Sequence, residues 1–223
     1  MTLGRKIILL IAAILIIDQL VKVWVKTSFY PYEDVDVIKG FFQLYYIENR
    51  GMAFGTTLGS GVWAKYVLSI FRLIAIVVIA WYLFKHIREN KVHKGLIFCM
   101  ALIFAGATGN LIDGMFYDFI FPLDPDVAWN YELDSHDQVK LDEFGKPVLR
   151  DTGFLLGSVV DMFRFTLVWP DFMPKSMAGK EIFGAIWNVA DAAISVGVLL
   201  IVFKYRTFFK KPVVQEEKEP GNS

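Results

Sequence analysis

The 223-residue chain is 55% hydrophobic and 16% aromatic, and its 23 basic and 23 acidic residues cancel, while its mean hydropathy of +0.46 is high for a soluble domain. A membrane protein is therefore the first class to test, and the neutral balance gives no reason to expect nucleic acid as a partner. The lone Cys99 excludes an intrachain disulfide, and three histidines without metal-ligand spacing lead us to expect neither a metal nor another cofactor.

In chain order, four windows approach the roughly 20 apolar residues of a membrane-spanning helix: 7–25, 66–84, 95–117 and 184–203. Arg5 and Lys6 ahead of the first window could mark a secretion signal. The small-residue cleavage pattern is missing, however, and apolar residues resume after Asp18, so the segment reads as an uncleaved helix. Segment 27–65 alternates apolar and polar residues around Val35–Ile38 and Phe41–Tyr46, with Gly40 between them, which predicts a hairpin-like β element. Segment 119–183 is polar and acidic to about Asp151, then apolar and aromatic from Phe154 to Trp169, as in a strand or an interfacial segment. Basic residues cluster at 5–6, 85–94 and 204–211, so the positive-inside rule places both termini in the cytoplasm and the two long segments outside. The expected fold is an all-α membrane protein with four transmembrane helices and a small extracytoplasmic β element. It forms one domain over 1–211, followed by a disordered cytoplasmic tail at 212–223.

Alternating helix directions put Asp18 and Lys22, Ser69 and Arg72, Asn110 and Asp113, and Asn188 and Asp191 in the outer half of the bundle. Within each helix the polar residues recur at helical spacing, so each set shares one face. Asp191 is the most conspicuous, because a carboxylate at a helix centre costs about 2.5–3.5 kcal/mol and marks a functional site by default. With a 1.5 Å rise per residue it would lie about 10 Å below the outer start of a helix beginning at 184. The inner halves are apolar, which argues against a channel. Structural readings stand beside the functional ones: Asp18 and Lys22 as a neutralising ion pair, Asn110 and Asn188 as interhelical hydrogen-bonding groups, Asp113 as a support, and Arg72 as a snorkelling cation.

Asp161 differs from the solvated acids of its segment because Val159, Val160, Met162 and Phe163 flank it. If Asp161 and Asp191 meet in a low-dielectric site they share a proton. One can then activate water while the other polarises a carbonyl, as in an aspartic protease. The GxSG motif of an intramembrane serine protease is missing at Ser60.

Five blocks carry a family resemblance: Asp18-Gln19-x-x-Lys22, Asn49-x-Gly51-x-Ala53-Phe54-Gly55, Gly106-x-x-Gly109-Asn110-x-x-Asp113, Val160-Asp161, and Asn188-x-Ala190-Asp191. In this order the chain resembles lipoprotein signal peptidase, or signal peptidase II, of the bacterial plasma (inner) membrane. The resemblance implies catalysis by Asp161 and Asp191, a substrate site shaped by Asp18, Lys22, Asn49, Gly51, Asn110, Asp113 and Asn188, and a β-cradle from the first outer segment. The implied partners are membrane lipids and prolipoproteins carrying diacylglycerol on a cysteine, cut just before that cysteine; the enzyme is expected to be monomeric. The chain departs from the family pattern at Gly114, where arginine is usual, and at Met162 and Trp187, where phenylalanine is usual. Arg72 or Arg164 is expected to supply the missing positive charge, and 122–151 to be an insertion. A transporter or lipid-binding protein, or a subunit whose polar residues only join helices, are the competing classes.

Overall fold

The computed structural model describes residues 1–50, 62–89, 92–134 and 138–209. Helix α1 runs Leu3–Ser28, capped by the Thr2 hydroxyl accepting from the Arg5 amide, α2 runs Val62–Glu89, and α3 runs Lys94–Ile120. These three are long and apolar enough to cross a membrane. Helix α3 packs against α1, α2 and α4. Its apolar window is 50% buried, against 17% for those of α1 and α2, so α3 is the core helix. Ile16, Leu20, Ile74, Val78 and Trp81 remain exposed on its neighbours, an outward apolar surface that only lipid or another protein would cover.

The fourth window is corrected. Helix α4 begins at Val189 rather than 184, ends at Phe203, and is followed by the short α5 at Tyr205–Phe208. Two contacts set that start. Ile186 and Trp187 form strand β4 against Arg164 and Phe163, and Asn188, in extended conformation, caps the helix by accepting the Asp191 amide through Oδ1 at 2.9 Å. Asp191 therefore lies in the first helical turn, about 3 Å from its start rather than about 10 Å.

Strands β1 (Asp34–Ile38), β2 (Phe42–Asn49), β3 (Val159–Phe165) and β4 (Ile186–Trp187) form one antiparallel sheet in the order β1-β2-β3-β4. Gly40, with φ of 72°, makes the β1–β2 turn in a conformation that an L side chain resists. The β element is thus larger than the expected hairpin, because β3 joins it and carries Asp161 opposite Ile47. Val25, Tyr46, Tyr117, Val160 and Met162 bury one face of the sheet against the ends of α1 and α3.

Residues 131–134 and 138–149 are more ordered than their composition suggests. Three short arms close a triangle of backbone hydrogen bonds: Glu132 N–H to Val148 O at 2.8 Å, Lys140 N–H to Glu132 O at 2.9 Å, and Val148 N–H to Lys140 O at 2.9 Å. The turn Ala128–Asn130 leads into this ribbon. The tail expected to be disordered lies outside the described residues.

Candidate active site

Four elements bring their polar residues together at one end of the bundle. Asp18 and Lys22 come from the end of α1, Asn110 and Asp113 from the end of α3, Asn188 and Asp191 from the start of α4, and Asp161 from β3. Asn188 is the hub. Its Nδ2 donates to Asp161 Oδ1 at 2.6 Å, to Val160 O at 3.3 Å and to Asn110 Oδ1 at 3.2 Å, while its Oδ1 accepts from the Asp191 amide. Asn49 Nδ2 donates to the other Asp161 oxygen at 3.2 Å, and Asn110 Nδ2 donates to Asp191 Oδ1 at 2.8 Å. Asp161 is buried and Asp191 half-buried, so one acid is enclosed and the other is reachable. Burial first, and the charge of Asp191 second, push the Asp161 carboxyl up to about 7.

Beneath the two acids lies a closed ionic network. Lys22 Nζ meets Asp18 Oδ2 at 2.9 Å, Asp113 Oδ2 at 2.8 Å and Asn110 Oδ1 at 2.8 Å, and the side chains of Lys22, Asp18 and Asp113 are fully buried. Asp18 Oδ1 also accepts the Ala190 amide at 2.8 Å, tying α1 to the start of α4. Removing one member would leave a buried charge uncompensated, at about 3–5 kcal/mol. Geometry thus separates two layers: Asn49, Asn110 and Asn188 touch the acids, whereas Lys22, held by Asp18 and Asp113, braces Asn110, and Asp18 braces the start of the helix that carries Asp191. Gln19, present in the first sequence block but not singled out, completes the lower layer by donating to Asp113 Oδ1 at 2.9 Å and to Gly109 O at 3.3 Å. Gly51 lies outside the described residues.

The two arginines expected to replace the family charge part company. Arg164 pairs with Glu181 and stacks over Tyr45, 5.2 Å from the ring centroid. Arg72, on α2, is half-buried and within electrostatic reach of Asp191, Asp161 and Asp113. Beside Gly114 lies another segment: Gly157 N–H donates to Gly114 O at 3.0 Å, and a Cβ on Gly157 would stand 2.4 Å from Asp113 O. Arg150 fixes that segment by a bidentate pair to Asp118 at 2.8 and 2.9 Å and by donating to Leu156 O at 3.3 Å. Sequence reading missed this pair, since 32 residues separate its members. Among the described residues, no group of His, Cys, Asp and Glu could hold a metal ion.

Residues 10–207 match the family model described as Signal peptidase (SPase) II. A lipoprotein signal peptidase of Porphyromonas gingivalis is 36% identical over 91% of this chain and 83% of its own length. One from Amoebophilus asiaticus is 31% identical over 91% and 78%. Two solved structures of bacterial membrane enzymes, determined in meso at 2.3 and 1.9 Å, share the fold with TM-scores of 0.53 and 0.54. Their sequence identities are 20% and 21%, and the matches cover 97% and 90% of this chain and 95% and 92% of theirs.

Proposed function

The chain belongs to the signal peptidase II family, proteases that remove signal peptides from prolipoproteins, and we propose that it does so by an aspartic mechanism with Asp161 and Asp191 as the catalytic pair. The observation that carries this reading is the position of Asn188, one side chain that donates to Asp161 and accepts the amide of Asp191. Both acids are thereby held at one place in different surroundings, which is how two carboxyls come to serve as acid and base.

In the proposed reaction, Asp191 as carboxylate takes a proton from water while the water oxygen attacks the scissile carbonyl. Asp161, protonated below about pH 7, gives its proton to the carbonyl oxygen, producing a neutral gem-diol. Asp191 then protonates the amide nitrogen, the C–N bond breaks, and a gem-diol hydroxyl returns a proton to Asp161. No covalent intermediate forms. Asn110 and Asn188 orient the two acids, the Asp18–Lys22–Asp113 network braces them, and Arg72 contributes the positive field that Gly114 does not.

The proposed substrate is a prolipoprotein bearing diacylglycerol on its cysteine, cut immediately before that residue. A site at the end of the bundle suits it, because the acyl chains can stay in the bilayer while the peptide bond reaches Asp191. We place the enzyme in the bacterial plasma (inner) membrane as a monomer with four crossings, both termini cytoplasmic and the sheet outside. Asp161→Asn and Asp191→Asn should each abolish cleavage of a diacylglyceryl-modified peptide while the protein still folds in detergent. Normal turnover by either variant would sink the mechanism.

A further inference from the structure

A cleft of about 670 Å³ opens beside Asp161, within the ~300–1,000 Å³ typical of pockets that enclose a ligand. Its walls are Ile47 to Arg50 at the end of β2, Gly184 to Ile186 ahead of α4, and Trp129, Tyr131 and Leu133 at the entry to the ribbon. Among the described residues, no part of α1, α2, α3 or α4 lines it. The cleft therefore lies on the side of Asp161 away from the membrane-crossing helices. Polypeptide emerging from the site on that side has already left the apolar signal segment behind.

The ribbon wall is fixed in place. Trp129 packs its ring against Tyr32 at 4.6 Å and Tyr46 at 5.5 Å, and the carbonyl of Tyr131 accepts from Arg50 Nη1 at 3.3 Å, joining the ribbon to β2. Most of what the walls offer is apolar: Ile47, Trp129, Leu133, Ala185 and Ile186. Glu48 Oε1 accepts from Lys26 and from the Tyr46 hydroxyl, and Arg50 Nη1 donates to the Tyr131 carbonyl. A charged residue lying against the Ile47, Trp129, Leu133, Ala185 and Ile186 walls would lose hydration that these apolar side chains do not replace.

We propose that Tyr131 and Leu133 form a specificity wall that binds the first few residues after the scissile bond in extended form and favours uncharged side chains there. The proposal rests on the protease reading above and adds to it a discriminating role for a segment that composition marks only as an acidic insertion.

The test uses the full-length enzyme and two diacylglyceryl-modified peptides with the same signal segment and cysteine. One ends at the cysteine as an amide, and the other continues for four apolar residues. The wild type should prefer the longer peptide in kcat/KM. Leu133→Ser should lower that long-to-short ratio about tenfold, the order expected when one apolar contact is lost from a site, with the change in KM rather than kcat. An unchanged ratio, whether both activities fall together or neither does, overturns the proposal. As a check independent of rate, Leu133→Cys in a Cys99→Ser background should form a disulfide with a cysteine at the third residue of the longer tail, and failure to cross-link in an active preparation counts against it. If the wild type cuts neither peptide, the protease reading falls too, which separates the two failures.

Discussion

At the scale of single residues, the site separates groups that touch the acids from groups that hold them. Asn49 is of the first kind, and its donation to Asp161 Oδ2 favours the ionised form, opposing the burial that raises that carboxyl to about 7. If protonated Asp161 polarises the carbonyl, kcat/KM falls as pH rises through about 7. Asn49→Ala should lower the rate and move this alkaline limb to higher pH, because one stabilising bond to the carboxylate is gone; a pH–rate profile in detergent reads both. The sign for stability runs the same way. The folded state keeps a proton that the unfolded chain, with an ordinary Asp near 3.8, releases. Asp161 thus costs stability increasingly as pH rises from about 4 to about 7. Arg72 tests the second kind of group. Its charge acts on Asp191 and Asp161, whereas Arg164 is occupied by Glu181. Arg72→Ala should slow cleavage at least tenfold, an effect of about 1.4 kcal/mol on the barrier, and Arg164→Ala should not; steady-state kinetics on a lipidated peptide decides it.

At the scale of elements, what periodicity controls was legible and what pairing controls was not. The apolar windows announced α1, α2 and α3 because an 18-residue hydrophobic run needs no partner to declare itself. The start of α4 was misread by five residues, since Ile186 and Trp187 are as apolar as a helix requires and only β3 draws them into a strand. The polar stripes are legible for the same reason as the helices, through spacing, so Asp18, Lys22, Asn110, Asp113, Asn188 and Asp191 stand out in the sequence itself. Gly106, in the third sequence block, sits where α3 and α4 meet closely. A Cβ there would stand 2.2 Å from Ala190 O and 2.7 Å from the Ile194 side chain. Gly106→Val should push α3 and α4 apart, cost about 1–3 kcal/mol as overpacking does, and lengthen the Asn110–Asp191 bond that crosses this interface. We expect lower thermal stability in detergent together with a kcat loss larger than the fall in stability explains, and retention of full kcat would show that the two helices do not set the position of Asp191.

At the scale of the molecule, the chain from α3 to β3 is held by a few long-range ties that no local pattern encodes. Arg150 and Asp118, with side chains 1% and 4% exposed, form one of them, a buried bidentate pair. Ser69 on α2 adds a second by donating to Leu155 O at 2.9 Å, and Gly157 a third on Gly114. Together they fix 150–158, the segment that delivers β3 and therefore Asp161 to the ends of the helices, and they anchor the ribbon through Arg150 N–H to Asn130 O at 2.8 Å. A planar fork matters here more than a charge, because Arg150 serves a carboxylate and two carbonyls at once. Arg150→Lys should therefore fail to rescue what Arg150→Met loses. In a double-mutant cycle with Asp118→Asn, the coupling measured by thermal or denaturant unfolding should fall within about 0.5–3 kcal/mol. Because the tie lies upstream of the catalytic strand, each single variant should also lose cleavage at temperatures well below its own unfolding midpoint. Activity that persists up to that midpoint would mean that β3 finds its register with β2 without the help of Arg150.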